Sequence, residues 1–269
     1  MSELKKIFTD EIVEHYKNNK HLITFELLQK LRSYGNEGKQ IALDILDTEK
    51  TVDNYYLDAF GEKIAFLGDR EIKRPFTRMN LSQIHIDELK RCAESLDYFR
   101  ENYIKIRTKD GINFPEMRAY QEGFLNALTS DYETIVSLQP RQSGKSVTTA
   151  IYMVWLFNFD HDKNMGICAN NGGLAREFLN NVRNMFYGMP MWMRVGVSVW
   201  NKGSIESENK MRIMTDGPSE NSFRGYTMSM IVVDECIEAS SMITVKNKYT
   251  NKIEKISVAE LYDRLHNKS

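Results

Sequence analysis

The most constraining feature of this sequence is an apolar run followed by a polar, glycine-containing loop and then by apolar residues at helical spacing. Thr134–Leu138 is the apolar run, and the next eight residues read Gln-Pro-Arg-Gln-Ser-Gly-Lys-Ser. In a strand, loop and helix unit, the loop amides and the helix start form a site for phosphate groups. We therefore expect Gly144 to allow close backbone approach, Lys145 to reach the β- and γ-phosphates of a nucleotide, and Ser146 to bind Mg²⁺.

The sequence after this loop alternates short apolar runs with amphipathic helical patterns. Such alternation is typical of an α/β protein with a parallel sheet covered by helices on both faces. A turn signal at Asn201-Lys202-Gly203 predicts a hairpin, and a nearly continuous apolar run predicts a strand buried on both faces. The predicted elements are a helix from Gly144, a strand at Met165–Ala169, a helix at Gly172–Tyr187, hairpin strands at Val197–Trp200 and Ser204–Ser207, and the buried strand at Tyr226–Val233.

The buried strand delivers two acids at its carboxyl end, Asp234 and Glu235. In nucleotide-binding sheets, the first acid holds Mg²⁺ and the second polarises the water that attacks the γ-phosphate. Apolar strands often end in acids, so this pattern is informative mainly because it follows the phosphate loop by about 90 residues. We expect Asp234 to serve Mg²⁺ and Glu235 to serve as the catalytic base.

Further candidate residues flank the loop. Arg141 lies within it, and its guanidinium is placed to stabilise charge on the γ-phosphate, unless the side chain points to solvent. Upstream, Gln121 has an amide suited to hydrogen bonding with the adenine edge, and Tyr120 or Arg118 is suited to stacking on the base.

Together these motifs resemble the ATPase of the terminase large subunit, the DNA-packaging motor of tailed bacteriophages. The likeness covers roughly residues 80 to 235. Four segments carry it: Arg118–Gln121, Arg141–Ser146, Trp200–Glu206, and Phe223–Gly225 ahead of Val233-Asp234-Glu235. The family's phosphate loop also lacks the usual first glycine, which Gln139 replaces here, and carries an arginine at the place of Arg141.

The resemblance implies a fold of the P-loop NTPase type, with ATP and Mg²⁺ as cofactors and the roles given above for each matching residue. The residues implied to bind the nucleotide are Arg118, Tyr120, Gln121, Gln142, Ser143, Gly144, Lys145 and Ser146. It also implies double-stranded DNA, a portal protein and a small terminase subunit as partners, and a homo-oligomeric ring during packaging.

The region before the ATPase-like segment has a different character. Residues 1–80 carry apolar residues at helical spacing up to about Leu46, with a break at Tyr34–Gly38, and then a mixed stretch. A second helix is expected from Ser82 or Asp87 to about Arg107. We predict a mainly helical region over 1–80 and an incomplete ATPase domain over 81–235.

The amino-acid composition limits the possible partners and cellular location of the protein but does not indicate a function. The 269 residues include 36 basic and 37 acidic side chains, so overall charge indicates neither a nucleic acid nor a membrane as partner. Three scattered cysteines favour a reducing compartment, and no apolar run is long enough to cross a bilayer. Composition therefore predicts a cytoplasmic protein that does not bind a membrane, and the resemblance implies that the cytoplasm is that of an infected host and that the protein is not incorporated in the virion.

The segment after Glu235 departs from the terminase pattern. Cys236 is followed by a short polar spacer, a strand containing Thr244-Val245, a turn at Tyr249–Lys252, a strand at Ile253–Ile256, and a helix from Ser257 to about Leu265. This resembles the N-terminal part of an atypical split intein, over residues 236–269. The resemblance implies that the Cys236 thiol attacks the Glu235 carbonyl and that a complementary fragment completes protein splicing.

Other interpretations stay open. The tail after Glu235 is alternatively a frameshifted or divergent terminase tail that packs as an ordinary hairpin and helix. The whole chain is alternatively another P-loop DNA translocase or helicase with a divergent tail. A non-catalytic interaction module with a vestigial nucleotide site is the third possibility.

Overall fold

The computed structural model describes residues 4, 7–47, 51–53, 55–109, 111–137, 139–140, 142–217, 219, 222–234, 242–246 and 253–266. Its central element is a five-stranded sheet in the order β6-β7-β8-β5-β9. The strands of this sheet are β5 (Asn164–Ala169), β6 (Val197–Trp200), β7 (Ser204–Ser207), β8 (Arg212–Asp216) and β9 (Met230–Asp234). Strands β8, β5 and β9 are parallel, and β6 and β7 join antiparallel, so the predicted α/β class is confirmed with a mixed sheet.

Helices make up most of the chain before this sheet, and one further helix packs on β5 and β8. The helices before the sheet are α1 (Asp10–Asn18), α2 (Phe25–Arg32), α3 (Gly35–Leu46), α4 (Gln83–Glu94), α5 (Leu96–Tyr103), α6 (Ala119–Leu128) and α7 (Lys145–Phe159). A 3₁₀ turn at Lys20–Leu22 links α1 and α2, and α8 (Gly172–Gly188) follows β5. The helices predicted up to about Leu46, the helix after the phosphate loop and the β6–β7 hairpin are confirmed, while the described residues from 51 to 80 contain no helix.

Two short antiparallel ribbons lie between the N-terminal helices and the sheet. They pair β1 (Thr51–Val52) with β2 (Tyr55–Tyr56), and β3 (Ile106–Thr108) with β4 (Gly111–Asn113). The second ribbon occupies the place where the sequence predicted the end of a long helix near Arg107. That prediction is wrong, because the helical stretch breaks at Ser95 and ends at Tyr103.

One hydrophobic core serves both the N-terminal helices and the sheet. Buried side chains of α2 and α3, such as Leu28 and Ile45, belong to the same cluster as Phe157 of α7 and Ile167 of β5. Helix α7 is apolar on most sides, as expected of a helix enclosed between other elements. The predicted domain boundary at residue 80 stays a prediction, although packing among the described residues is continuous across it.

Two strand predictions differ from the structure. Residues 134–137 belong to no strand and pair with no described strand, so the strand predicted before the phosphate loop is not found over these residues. Strand β9 begins at Met230 and is an edge strand with exposed side chains, whereas burial on both faces was predicted. Both differences have one physical cause: a segment becomes a central strand only when a neighbour supplies the second row of hydrogen bonds.

The tail forms a small unit of its own. Strand β10 (Met242–Lys246) pairs antiparallel with β11 (Ile253–Ser257), and α9 (Val258–His266) follows directly. The β10–β11 ribbon is a separate two-stranded sheet that does not extend the five-stranded one. The predicted strand, strand and helix order of the tail is therefore confirmed, while the turn predicted at Tyr249–Lys252 lies outside the described residues. Among the residues that the structure describes, no helix combines the length and apolar character needed to cross a bilayer.

Candidate nucleotide-binding site

The phosphate loop reaches α7 through a left-handed backbone turn. Gly144 has φ of +86° and is the N-cap residue of α7, and Gln142 also has a positive φ of +60°. Ser143, between them, is buried. These dihedral angles turn the chain abruptly into the helix, so the first amides of α7, at Lys145 and Ser146, are available to an anion at the positive end of the helix dipole.

The start of α7 and the end of β9, which the sequence predicted to form the site together, are in direct contact. The Ser146 hydroxyl donates to the Asp234 carboxylate at 2.8 Å, although the residues are 88 positions apart in sequence. The Lys145 ammonium lies 3.4 Å from the other oxygen of the same carboxylate, and both side chains are partly exposed. A hydroxyl, a carboxylate and an ammonium group therefore converge at one point between the start of α7 and the end of β9.

This donor set fits a Mg²⁺ ion bound with a nucleotide. Magnesium prefers oxygen ligands and typically takes only one or two from protein side chains, the others being water and phosphate oxygens. Ser146 and Asp234 are the side chains that would hold it. The Lys145 ammonium, now paired with Asp234, has the charge and reach to turn to a phosphate group.

The residues predicted to bind the adenine base lie against the Ser143 carbonyl of the phosphate loop. The Gln121 amide nitrogen and the Tyr120 hydroxyl each donate to the Ser143 carbonyl at 2.9 Å. The Gln121 side-chain oxygen accepts from the Arg118 amide at 2.9 Å, and the Arg118 guanidinium donates to the Tyr120 hydroxyl at 3.2 Å. In this structure Gln121 thus holds the loop and the start of α6, and its adenine-reading role stays a prediction.

The Gln121 side chain lies against Gly144. A Cβ atom built on Gly144 would collide with the Gln121 side-chain nitrogen, which would have to move away. The positive φ is therefore the reason for glycine at this position, and a larger residue would also displace the Gln121 side chain.

Three predicted catalytic residues, Arg141, Glu235 and Cys236, lie outside the described residues. Glu235 directly follows Asp234, the last residue of β9, so the described backbone ends next to the site. Their predicted roles stay predictions.

A further acid at the same edge of the sheet was missed by the sequence reasoning. Asp216 ends β8, and through the register of β5 it lies two strands from Asp234. Its carboxylate accepts hydrogen bonds from the Gly217 and Phe223 amides, at 2.8 and 3.2 Å. The signal was available, since Met211–Thr215 is a mostly apolar run that ends in an acid, the pattern that singled out Asp234.

Asp216 orders the loop that carries Phe223-Arg224-Gly225. Phe223 has φ of +58°, and its ring lies so close to Gly166 of β5 that a Cβ atom there would be 2.8 Å from it. This loop leads into β9, so the contact of Phe223 with β5 fixes where β9 begins.

The Trp200–Glu206 segment forms the hairpin at the far side of the sheet. The Asn201 side-chain oxygen accepts from the Gly203 and Ser204 amides at 3.0 and 2.9 Å, which closes the turn. The Trp200 indole donates to the Tyr187 hydroxyl of α8 at 3.0 Å. These contacts give the segment a structural role in the turn and in packing on α8.

A comparison with protein families matches residues 136–253 to the family described as terminase large subunit, T4likevirus-type, N-terminal. The matched span holds the phosphate loop, the hairpin and β9, and it continues past Glu235 through β10 to the first residue of β11. It covers less than half of the chain, and residues 1–135 lie outside it. Together with the meeting of Lys145, Ser146 and Asp234, this match supports a terminase large subunit.

Proposed function

We propose that this chain carries the ATP-hydrolysing motor of a terminase large subunit that packages viral DNA. The observation that carries the proposal is the convergence of Ser146 and Lys145 with Asp234 at 2.8 and 3.4 Å. The family match over residues 136–253 supports the same conclusion from the sequence.

The roles of the residues follow from their chemistry. The α7 amides and Lys145 bind the β- and γ-phosphates. Ser146 and Asp234 would hold Mg²⁺, which would supply positive charge beside the phosphates. Glu235 accepts a proton from the attacking water, and the Arg141 guanidinium stabilises the γ-phosphate in the transition state. The adenine base is bound by the residues that contact the Ser143 carbonyl and their neighbour, namely Gln121, Tyr120 and Arg118.

We expect ATP hydrolysis only after splicing, so nucleotide turnover measured after mixing with the complementary fragment tests this proposal. Lys145→Ala is expected to abolish ATP hydrolysis and to weaken the binding of a fluorescent ATP analogue, because it removes the phosphate-binding cation. Lys90→Ala, an exposed lysine on α4, is the matched control and should leave both unchanged. Equal turnover by Lys145→Ala and the parent chain would contradict the proposal.

The partners follow from the motor function. We propose that the chain acts on double-stranded DNA together with a portal protein and a small terminase subunit, as a ring of identical subunits. A packaging assay with proheads and ATP separates this function from that of another translocase or helicase, which would hydrolyse ATP with DNA and fill no prohead.

For the tail, we propose the N-terminal fragment of a split intein. The Cys236 sulfur attacks the carbonyl carbon of Glu235, the C–N bond breaks as the C–S bond forms, and the thiol proton ends on the freed amine. A Cys, Ser or Thr of the complementary fragment then takes the acyl group, and an Asn of that fragment cyclises to release the intein. The separate β10–β11 sheet supports a tail that is structurally distinct from the ATPase.

A second interpretation of the tail is favoured by the extent of the family match. Because the match continues to residue 253, the segment after Glu235 is alternatively a divergent terminase sequence. Mixing the chain with the complementary fragment decides between the two. Mass spectrometry should show loss of residues 236–269 and a spliced product with the parent chain but not with Cys236→Ala, and equal behaviour of the two chains would rule out the intein proposal.

A further inference from the structure

A cleft of about 430 Å³ lies at the opposite end of α7 from the phosphate loop. Four parts of the chain line it: the segment before α4, α4 itself, the end of α7 and the segment after α8. Because α7 rises about 1.5 Å per residue over its 15 residues, the cleft is about 20 Å from the nucleotide site and separate from it. Its apolar walls are formed by Met79, Leu81, Leu89, Phe159, Trp192 and Met193.

The cleft contains a buried ammonium group. Lys73 lines it and is only 6% exposed. Within the described part of the chain, this ammonium forms no hydrogen bond and no ion pair. The Lys73 carbonyl accepts from the Val197 amide at 2.8 Å, which fixes the backbone of the residue beside the cleft. A buried charge without a partner is unfavourable, so an anion placed next to it would be bound strongly for its size.

The carboxylate of Glu208 does not neutralise Lys73 by direct contact. Its two oxygens accept from the Gly196 amide at 2.9 Å and from the Phe76 amide, and these bonds hold it beyond ion-pair distance of Lys73. Burial accordingly lowers the pKa of Lys73 to about 8, although the charge of Glu208 acts in the opposite direction.

The other polar groups that line the cleft add donors and positive charge. The Trp192 indole N–H is buried and has no acceptor among the described residues. The Arg194 guanidinium donates to the Met189 and Tyr187 carbonyls at 2.8 and 2.6 Å and brings a second positive charge. Of the described residues that line the cleft, none is acidic. The lining is therefore complementary to an anion that carries an apolar body.

We propose that this cleft is a binding site for a small organic acid, in which a carboxylate is joined to an apolar chain or ring. The carboxylate pairs with the Lys73 ammonium, and the apolar part contacts Leu89 and Phe159. Apolar walls, a few polar groups and a volume of this size are typical of small-molecule sites. The inference goes beyond the proposed motor function and does not depend on it.

Isothermal titration calorimetry tests the site without nucleotide. The probes are octanoate, below its micelle concentration, and 1-octanol, which has the same chain without the charge. The full 269-residue chain should bind one octanoate at least about tenfold more tightly than octanol, because only the acid pairs with the ammonium.

A variant of Lys73 tests the role of the ammonium. Lys73→Met keeps an unbranched side chain of similar length and removes an unpaired buried charge, so the protein should stay folded. Octanoate binding should weaken about tenfold and octanol binding should stay as in the parent. Lys30→Met, at an exposed lysine of α2, is the control and should bind both probes as the parent does.

A second variant locates the site without changing Lys73. Ala93 is an exposed residue of α4 that lines the cleft, so Ala93→Phe should fill part of the cleft and weaken both probes about tenfold or more. Gln83→Phe places the same ring at an exposed position of α4 outside the lining, and should leave binding unchanged. Thermal unfolding of each variant checks that it folds.

Three outcomes would overturn the inference. They are equal affinity of the parent chain for octanoate and octanol, unchanged octanoate binding by folded Lys73→Met, and unchanged binding of both probes by folded Ala93→Phe. Since no step of the assay uses ATP, turnover retained by Lys145→Ala would contradict the motor proposal and leave this result readable. Normal turnover beside equal affinity for the two probes would overturn the acid site alone.

Discussion

Gly144 joins the phosphate loop to α7 at φ of +86°, with the Gln121 side chain where a Cβ would be. Gly144→Ala adds left-handed strain of about 1–2 kcal/mol and displaces the Gln121 side-chain nitrogen, which donates to the Ser143 carbonyl of the loop. Affinity for a fluorescent ATP analogue should fall by about tenfold or more while the protein stays folded.

Gly123 is the matched control for this change. It lies in α6 with open space around it and no positive φ. Gly123→Ala should leave nucleotide affinity unchanged and raise the free energy of unfolding by about 0.5–1 kcal/mol. Equal nucleotide affinity of the two alanine variants would show that the loop does not depend on Gly144.

His85 is held neutral by its surroundings. Its Nδ1 accepts from the Ser82 amide and hydroxyl, at 3.2 and 2.7 Å, and its Nε2 donates to the Leu46 carbonyl at 2.8 Å. Burial lowers the pKa of His85 below its ordinary value of 6.5. A proton on Nδ1 would face the Ser82 amide, so the charged form is disfavoured in the folded state.

This arrangement predicts a loss of stability in acid. Because the unfolded state binds the proton more readily, His85 contributes stability that is present above pH 6.5 and is lost as pH falls through the folded pKa. As pH is lowered, the titration of His85 should reduce the free energy of unfolding, measured in urea, by at most about 1.4 kcal/mol per pH unit. His85→Gln should flatten that slope and exposed His161→Gln should not, and parallel slopes for parent and His85→Gln would contradict the assignment.

At the scale of the element, Ser95 separates α4 from α5. Its backbone is extended, and its hydroxyl accepts from the Tyr98 amide at 3.1 Å, which caps α5. Ser95→Ala should lower the free energy of unfolding by about 1 kcal/mol, measured by urea denaturation, because one amide of the first turn loses its acceptor. Ser95→Asp should retain most of the stability, and an alanine variant as stable as the parent would argue against the cap.

The same residue shows why element boundaries were harder to predict than element types. Apolar spacing over residues 82–107 reads as one helix, since spacing reports which face is buried and not where the dihedral angles change. Ser95 with Asp97 in the next turn was the available cap signal. The helix that starts after Gly144 was predicted correctly, because the glycine marked its start and the apolar residues after it recur at helical spacing.

Strand pairing was predicted least well, for a different reason. Residues 134–137 and β9 both have strand-like sequences, but a strand depends on partners that are distant in sequence. In the candidate site, Lys145, Ser146 and Asp234 were predicted from local patterns. The holding of the Ser143 carbonyl by Gln121 and Tyr120 depends on a tertiary contact that no local pattern contains.

At the scale of the whole molecule, a buried polar cluster joins the N-terminal helices to α4 and α5, the first helices of the predicted ATPase domain. The Arg32 guanidinium of α2 donates to the Glu88 carboxylate of α4 at 2.7 Å and to the Tyr103 hydroxyl of α5 at 2.9 Å. Tyr98 and Tyr103 both donate to Glu88. Burial raises the pKa of both phenols, so they stay protonated and continue to donate.

Removing Arg32 takes the closest cation from the buried Glu88 carboxylate and leaves it the Arg91 guanidinium, at 3.4 Å, and the two phenols as partners. Glu88 is completely buried, so Arg32→Met should lower the free energy of unfolding by about 3 kcal/mol. The double variant Arg32→Met with Glu88→Leu removes both charges and should recover a large part of that loss. Urea denaturation followed by circular dichroism measures the parent, Arg32→Met, Glu88→Leu and the double variant, and the double-mutant cycle over these four chains gives the coupling between the two sites.

The partly exposed pair Lys17–Asp47 provides the control, since its atoms lie 3.4 Å apart near solvent. Lys17→Met should cost less than about 1 kcal/mol. A two-step transition in Arg32→Met, with the N-terminal helices melting first, would show that the cluster couples the two regions. If Arg32→Met is no more costly than Lys17→Met, the N-terminal helices are held by apolar packing alone, and the cluster has no part in joining them to the sheet.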